Sequence, residues 1–489
     1  MFILTGAVAA ATIALPHPRP HTNRSVPSMA NGLPGEAMRG HRWVTAAADF
    51  ALQQTFEELG VTNVWTSGQF EAVVPPELWS KAEQALKGRE WSTRHHDFQD
   101  MLENDKEARR KTPYVRGMRN DTFYAAWRTY EEIEDYVDFL RTLAPADMLI
   151  EDIVAGTTYE NREIRGIKVL GGADPIDPGF GVRPSFVMHG CHHSGEWITA
   201  MGMVYFIEQI ITTYGTDPAL TRIADEFEFD LIPIMNVDGY LFAWENDQFR
   251  TWRKSRSIHP ANIEAWAECE ESTPGNCEGC FGTDLNRNWD INWCGTGASE
   301  NPCSGSYCGI FPFEEPEART MAEFVRNLES TIYIDHHCCG DMYLQPYGWT
   351  EELPPDHDEM DPVWAAAKAA TDLLYGRNYR QGPTYTTIYP ASGLGLDYMY
   401  VGADVPFSIA TEMRSSNGNG PADPVLPGSQ EVWEGIKAAG LYVLNNYEPP
   451  GRGEHPRCVL CAAHLRLCWH AVLDVVLCCV SRFCFACSC

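Results

Sequence analysis

The stretch MHGCHHSGEWIT, residues Met188–Thr199, determines the predicted fold. A run of β-forming residues, Ser185–Met188, enters it, and an apolar segment with helical spacing, Ile198–Gly215, follows it. This order predicts a strand, a tight glycine-containing turn and a helix. His193 and Glu196 lie three apart in the turn, and an imidazole and a carboxylate at that spacing can face one ion such as zinc. A polar turn that only caps the helix is the alternative, so the metal hypothesis depends on further ligands.

The composition narrows the class of protein. The chain has 489 residues, of which 44% are hydrophobic, so it can form two to three domains with a sizeable core. Its 37 basic and 67 acidic residues give a net charge of −30. We therefore expect no nucleic acid and no anionic membrane surface among its partners, and we assign the acidity to solubility.

Cysteine usage and the N-terminus indicate an oxidising compartment. Nine of the 17 cysteines fall between Cys191 and Cys339, where many stand beside Gly, Asn and Ser, as in disulfide-linked loops. The apolar run Phe2–Leu15 resembles a secretory signal segment and is too short to span a bilayer. The chain is therefore predicted to be secreted or extracellular, or else lumenal or vacuolar, with residues 1–15 as a signal peptide and no stable membrane span.

Composition shifts divide the rest of the chain. Residues 16–40 are rich in Pro, His, Gly and Ser and are predicted to be a linker. Residues 41–118 form a small Cys-free α/β unit that includes the charged stretch Asp97–Lys111, which is either a solvated helix face or the basic connector of a pro-segment. Residues 451–489 hold eight cysteines and could be an appendage, a metal-binding patch or a mis-assigned gene end; we favour the last interpretation and assign them no function.

Residues 119–450 alternate strands with helices, which predicts an α/β domain built on a mixed, largely buried sheet. The informative polar residues lie at the carboxyl ends of the strands, where open α/β sheets bind ligands. The predicted strands of this domain are Ile164–Leu170, Phe186–Gly190, Phe227–Met235, Thr331–Asp335 and Val405–Thr411. Its predicted helices are Glu131–Leu143, Ile198–Gly215, Pro316–Leu328, Trp364–Gly376 and Gln430–Tyr447.

Two strand ends can complete a catalytic zinc site. His336 and His337 follow the strand Thr331–Asp335, and either can supply the third ligand while a fourth position stays open for water. Glu412 follows the strand Val405–Thr411, where partial desolvation would raise its pKa and suit it to act as a general base. An ion pair with Arg414 is the alternative role for Glu412.

Two clusters supply cationic groups. Residues 250–256 read RTWRKSR, and residues 284–289 read DLNRNW. Adjacent asparagine and arginine side chains can hold a carboxylate through paired hydrogen bonds. Surface ion pairs are the ordinary alternative, but Trp252 and Trp289 favour half-buried positions.

Taken together, these motifs resemble those of zinc metallocarboxypeptidases of the carboxypeptidase A/B family. They occur in the family's order and span about 119–447. The resemblance implies a mixed eight-stranded sheet flanked by helices, preceded by a small α/β pro-domain, and one Zn²⁺ per catalytic domain. The matching stretches are residues 193–198, 236–240, 252–256, 284–290, 346–348, 388–393 and 411–414, together with His337.

The resemblance implies a role for each catalytic residue. His193, Glu196 and His337 would bind zinc, with water in the fourth position. Glu412 would take a proton from that water and later protonate the leaving amine, and Arg253 would stabilise the oxyanion.

The substrate-binding residues are implied in the same way. Asn286 and Arg287 would hold the terminal carboxylate of a peptide, and Tyr389 would close over it. Leu396 would form the floor of the specificity pocket, which favours apolar or aromatic C-terminal residues. Asp284 would orient His193 from behind.

The resemblance also implies a zymogen. Residues 41–118 would cover the cleft until an activating trypsin-like protease cuts the connector after Arg109, Arg110 or Arg119. Separately, the resemblance implies a disulfide between Cys280 and Cys303.

The predicted function is zinc-dependent hydrolysis of the C-terminal peptide bond of peptides or proteins. Two other classes remain open: a catalytically inactive relative that binds peptides, and a zinc amidase that acts on acylated amino acids or peptidoglycan stems. The chain departs from the family pattern at Gly195, where an arginine is common, and at Cys338 and Cys339 beside the third ligand.

Overall fold

The computed structural model describes residues 38–447, apart from 48, 62–63, 67–68, 120–121, 173–182, 273–276, 329 and 415–424. The predicted signal peptide 1–15, all but the last three residues of the predicted linker 16–40, and the tail 451–489 lie outside the described residues. Among the described helices, none is both long and apolar enough to cross a bilayer.

The N-terminal unit is a four-stranded antiparallel sheet with three helices. The bounds are β1 Arg42–Ala46, α1 Phe50–Glu58, β2 Val64–Thr66, β3 Phe70–Val74, α2 Trp79–Leu86, β4 Trp91–His95 and α3 Phe98–Lys111. The sheet order is β2-β3-β1-β4. Asp49 and Asp97 cap α1 and α3 by accepting hydrogen bonds from backbone N–H groups of the first turn.

The larger unit is a mixed eight-stranded sheet flanked by helices, which confirms the predicted fold class. The elements are α4 Tyr130–Arg141, β5 Leu149–Thr157, β6 Glu163–Leu170, β7 Ser185–His189, α5 Trp197–Thr213, α6 Pro218–Glu226, β8 Glu228–Ile232, α7 Val237–Glu245, α8 Pro260–Ser272, α9 Pro316–Arg326, β9 Ser330–Cys338, β10 Met342–Gln345, α10 His357–Tyr375, β11 Arg380–Pro383, α11 Thr384–Thr387, α12 Gly395–Gly402, β12 Phe407–Met413 and α13 Val425–Asn446. The sheet order is β11-β10-β12-β9-β7-β8-β6-β5.

Helix α5 is buried along almost its whole length between the sheet and α13. Its Phe206 stacks on Trp433 of α13, with ring centroids 5.8 Å apart, and also meets the ring of His336 in β9. Each fully buried large apolar side chain of this kind contributes about 1.5–3 kcal/mol. On the opposite face of the sheet, α9 and α12 cover a second cluster that includes Val187 and Tyr333. The strands are thus held from both sides.

The four central strands β8, β7, β9 and β12 run parallel, so their carboxyl ends meet at one edge of the sheet. Two strands extend further toward their carboxyl ends than the sequence predicted. Strand β9 continues through His336 and His337 to Cys338, and β12 contains Glu412, which pairs in register with His337. The polar residues do not end either strand, because the backbone of β9 stays paired with that of β12 beyond Asp335. Of their side chains, His337 and Glu412 face the site, and His336 points to the other face of the sheet.

Candidate active site

Three buried side chains converge at the carboxyl edge of β7 and β9. The Nδ1 atoms of His193 and His337 are 3.0 Å apart. Glu196 places Oε1 3.0 Å from Nδ1 of His193 and Oε2 3.2 Å from Nδ1 of His337. Two imidazole nitrogens this close to each other and to one carboxylate need a proton or a cation between them. The three residues each offer a ligand atom, and these atoms all lie within 4.8 Å of one another.

The turn between β7 and α5 aims these residues inward. Ser194 anchors it, because its Oγ donates to the carbonyl of Trp252 over 2.8 Å and its N–H donates to Arg253 O. Gly195 leaves no room for a side chain, since a Cβ there would lie 2.8 Å from the same Trp252 oxygen. The presence of glycine at position 195, where the chain departs from the family pattern, therefore has a steric explanation in this chain.

Asp284 connects His193 to Arg253. Its Oδ1 lies 3.1 Å from Nε2 of His193, and its Oδ2 accepts from Nη2 of Arg253 over 2.9 Å. Burial alone would raise the pKa of Asp284, but Arg253 and His193 outweigh it and hold the pKa well below its usual range. The pKa of Glu196 is likewise lowered to about 2, because the two histidines outweigh its burial. Both carboxyl groups are therefore ionised at neutral pH.

The histidines that neighbour the predicted ligands face elsewhere. Nδ1 of His336 lies 2.8 Å from Oγ1 of Thr411, on the α5 side of the sheet. Nδ1 of His192 lies 2.8 Å from Oδ2 of Asp335. Neither histidine belongs to the group formed by His193, Glu196 and His337.

A cavity opens beside this group and brings most of the predicted site residues together. Apart from one threonine, its lining consists of polar side chains, here called the polar end, and of side chains from a single hydrophobic cluster, here called the apolar end. The polar lining is His193, Arg253, Asn286, Arg287, His337, Tyr389 and Glu412, and the remaining lining is Leu344, Thr384, Ile388, Ala391, Leu394, Leu396 and Ala410. Glu196 contacts His193 at Nδ1, where the three groups converge, whereas Asp284 contacts His193 at Nε2 and Arg253 from behind.

The amide and guanidinium groups at the polar end are held by the backbone. Asn286 Oδ1 accepts from Gly395 N over 2.8 Å. Arg287 Nε donates to Gly297 O over 2.8 Å, and its Nη2 lies 3.4 Å from the hydroxyl of Tyr389. The anchored groups can receive a carboxylate with little further loss of side-chain entropy.

The apolar end has Leu396 in its wall, 2% exposed. The neighbouring Asp397 is not a lining residue, and its carboxylate instead accepts from Gly348 N over 3.0 Å. Three further walls of the pocket, Leu344, Leu394 and Ala410, were not predicted from the sequence. Ala410 could have been found, because it precedes Glu412 by two residues on one strand and so shares its face. Leu344 lies on β10, a strand that was not predicted.

Four disulfides lie among the described residues: Cys269–Cys277, Cys280–Cys303, Cys294–Cys308 and Cys338–Cys339. The second is the pair that the family resemblance implies. In the fourth, both sulfur atoms are bonded to each other, so neither is a thiol that could compete for a metal next to His337.

Comparison with known proteins agrees with this geometry. Residues 133–435 match the family model described as zinc carboxypeptidase. Carboxypeptidase A1 of Sus scrofa is 35% identical over 338 residues, which cover 68% of this chain and 74% of the relative. Carboxypeptidase B of Homo sapiens is 32% identical over 328 residues, which cover 66% of this chain and 72% of the relative.

Solved structures share the fold. Thrombin activatable fibrinolysis inhibitor superposes with a TM-score of 0.69 at 23% identity, covering 84% of this chain and 100% of that one. Carboxypeptidase A from Helicoverpa armigera superposes with a TM-score of 0.68 at 23% identity, covering 84% and 99%. The chain belongs to the zinc carboxypeptidase family, whose members are Zn²⁺-dependent metallocarboxypeptidases.

Proposed function

We propose that this chain removes single C-terminal residues, preferably apolar or aromatic ones, from peptides and proteins, with His193, Glu196 and His337 as its zinc ligands. The convergence of these three groups beside Glu412 and Arg253 in one cavity carries the proposal. Their chemistry fits the ion, because ligand atoms 2.0–2.1 Å from a tetrahedral zinc are roughly 3.3 Å apart, close to the 3.0 Å between the two Nδ1 atoms.

The cavity residues divide the chemistry among them. Zinc held by His193, Glu196 and His337 would supply a Lewis acid that makes a water molecule easier to deprotonate. Glu412 accepts the proton of the attacking water and returns it to the leaving amine. Arg253 stabilises the negative charge that develops on the scissile carbonyl oxygen, and its ion pair with Asp284 fixes the guanidinium before the reaction begins.

Both ends of the cavity select the substrate. Asn286 and Arg287 bind the terminal carboxylate, which limits the enzyme to the last residue of a chain. Tyr389, whose hydroxyl already lies near Arg287, covers that carboxylate. The last side chain enters the apolar end, with Leu396 as its floor.

Replacing Leu396 with aspartate tests the pocket. We expect Leu396→Asp to lower kcat/KM for a blocked dipeptide ending in Phe by about 10–200-fold, the range for a mismatched apolar contact, and to raise it for one ending in Arg. Leu396→Met is the control, because its volume is similar and its pocket stays apolar. An unchanged ratio of Phe to Arg cleavage in Leu396→Asp would place the specificity pocket elsewhere.

The contacts of the N-terminal unit support a zymogen. Glu57 of α1 accepts from Ser304 Oγ over 2.9 Å and from Gly305 N over 3.1 Å. The carbonyl of the same Gly305 accepts from Nε of Arg253. A Cβ at Gly305 would lie 2.7 Å from Val64 O of β2, so the two backbones are in direct contact. The pro-domain, residues 41–118, thus rests on the loop that also holds a catalytic arginine of residues 119–450.

The candidate activation sites differ in their surroundings. Arg109 and Arg110 lie inside helix α3, and Arg109 also pairs with Glu132. Arg119 follows that helix, with a side chain 59% exposed that pairs with Glu208. Because proteases bind extended chain, we propose that a trypsin-like enzyme cuts after Arg119.

The disulfides, the N-terminal sequence and the cavity also support a proposal for the compartment and the partners. Four disulfides and the apolar N-terminal run support a secreted, extracellular or lumenal protein. Its proposed partners are the C-termini of peptides and proteins and one activating protease.

The proposal is tested with the full-length chain, before and after trypsin, on two blocked dipeptides that end in Phe or Arg. Each assay is run with and without a zinc chelator, and N-terminal sequencing locates the cut. We expect chelator-sensitive release of Phe that appears only after trypsin. Release of Arg instead would still support carboxypeptidase activity but would contradict the proposed apolar specificity pocket. No release from a zinc-bound, cleaved chain would favour a peptide-binding protein.

A further inference from the structure

A second buried carboxylate stands behind the proposed zinc ligand His337. Asp335 precedes it by two residues on β9, so both side chains emerge on the same face of the sheet. Oδ2 of Asp335 lies 2.9 Å from Nε2 of His337, while Nδ1 of the same ring faces His193 and Glu196. The imidazole thus spans from a carboxylate on one side to the proposed metal position on the other.

Asp335 is itself held by His192, and a third partner fixes the tautomer of that ring. The indole Nε1–H of Trp289, which can only donate, points to Nε2 of His192 over 3.4 Å. Nε2 of His192 is therefore the acceptor, and its Nδ1–H donates to Oδ2 of Asp335 over 2.8 Å. His192, Asp335 and Trp289 are all fully buried, so bulk solvent does not compete for these hydrogen bonds.

The ring proton of His337 is assigned by the same reasoning. Nε2 of His337 has two neighbours, the carboxylate of Asp335 at 2.9 Å and the amide nitrogen of Asn286 at 3.2 Å. An ionised carboxylate can only accept, and it is the nearer group, so Nε2 carries the proton and Nδ1 offers its lone pair to the metal. The Asn286 contact is then not a hydrogen bond, which leaves that amide for the substrate.

We propose that Asp335, anchored by His192, is a positioning residue that orients His337 and strengthens its bond to zinc. The inference rests on the proposed function, in which His337 is a zinc ligand. Asp284 has the matching place behind His193, with Nε2 to Oδ1 at 3.1 Å. Each imidazole is then backed by its own carboxylate, and groups in this place typically change metal affinity by about 10–100-fold.

The test measures zinc affinity rather than activity. Metal-free full-length chain is titrated with zinc against a chromophoric chelator, for wild type, Asp335→Asn and Asp230→Asn. Asp230 is an equally buried aspartate on β8 outside the site, so it controls for the loss of a buried charge. We expect Asp335→Asn to weaken zinc binding by about 10–100-fold and to shift the visible spectrum of the Co²⁺-loaded chain, while Asp230→Asn does neither.

His192 provides a second pair of variants if Asp335→Asn does not fold. His192→Leu leaves the carboxylate in place without its donor, and we expect weaker zinc binding. His192→Asn puts an amide nitrogen where the imidazole Nδ1 stands, and we expect it to restore most of the affinity. This inference alone would be overturned if the wild type binds zinc and is active, and both Asp335→Asn and His192→Leu bind zinc as tightly as the wild type. A wild type that binds no zinc would instead reject the proposed function.

Discussion

Replacing Glu412 with glutamine is expected to lower kcat by about 10²–10⁴-fold while zinc binding stays unchanged. Glu412 lies in β12 beside His337 in the register of the sheet and lines the cavity, but it is not one of the three converging groups. The amide has nearly the same shape as the carboxylate, so the pocket stays intact. It cannot take a proton from the attacking water, and the step that needs a base slows.

The loss should appear in kcat rather than in KM, because in the proposed reaction Glu412 transfers protons and is not one of the groups that bind the peptide. Glu208→Gln is the matched control, since it makes the same change at a buried glutamate of α5 and we expect normal activity from it. Equal kcat in Glu412→Gln and wild type, with zinc bound in both, would remove Glu412 from the reaction.

Replacing Glu196 with glutamine is expected to weaken zinc binding by more than about 100-fold, beyond the range typical of groups behind the ligands. The carboxylate faces both imidazole Nδ1 atoms, within 3.2 Å, and supplies the negative charge among the three groups. An amide oxygen is a much poorer zinc ligand. Activity should vanish at low free zinc and return in part when zinc is in large excess.

This result separates binding from catalysis. Competition with a chelator gives the zinc affinity, and the same samples give kcat at saturating zinc. In Glu412→Gln we expect full affinity and little activity, and in Glu196→Gln low affinity that limits the activity. Zinc affinity in Glu196→Gln equal to that of the Glu208→Gln control would contradict the ligand assignment.

The central strands were predictable because each is a run of buried β-forming residues. The outer strands were not. Strand β11, which reads RQGP, has a glycine and a proline that argue against a strand, and it forms only because β10 pairs with it at the edge of the sheet. Strand β5 is exposed along much of its length and carries acidic residues, so it lacks a clear apolar pattern.

Within the site, motifs indicated the groups that face the cavity and Asp284 behind His193, but not His192 and Asp335 behind His337. His192 and Asp335 are 143 residues apart, and their contact depends on the parallel register of β7 and β9, which pairs His189 with Asp335. No spacing rule in a single sequence predicts that register. The contact between Glu57 and Gly305 is likewise not predicted by any spacing rule, since it joins the N-terminal unit to the larger one.

The most direct test of the central claim is a zinc titration of the trypsin-cleaved chain after its metal has been removed. Release of C-terminal Phe is followed as zinc is added, alongside the amount of zinc bound. The assignment of His193, Glu196 and His337 predicts no release from the metal-free chain and full release at one zinc per chain. Full release from the metal-free chain, or none after one zinc has bound, would contradict it.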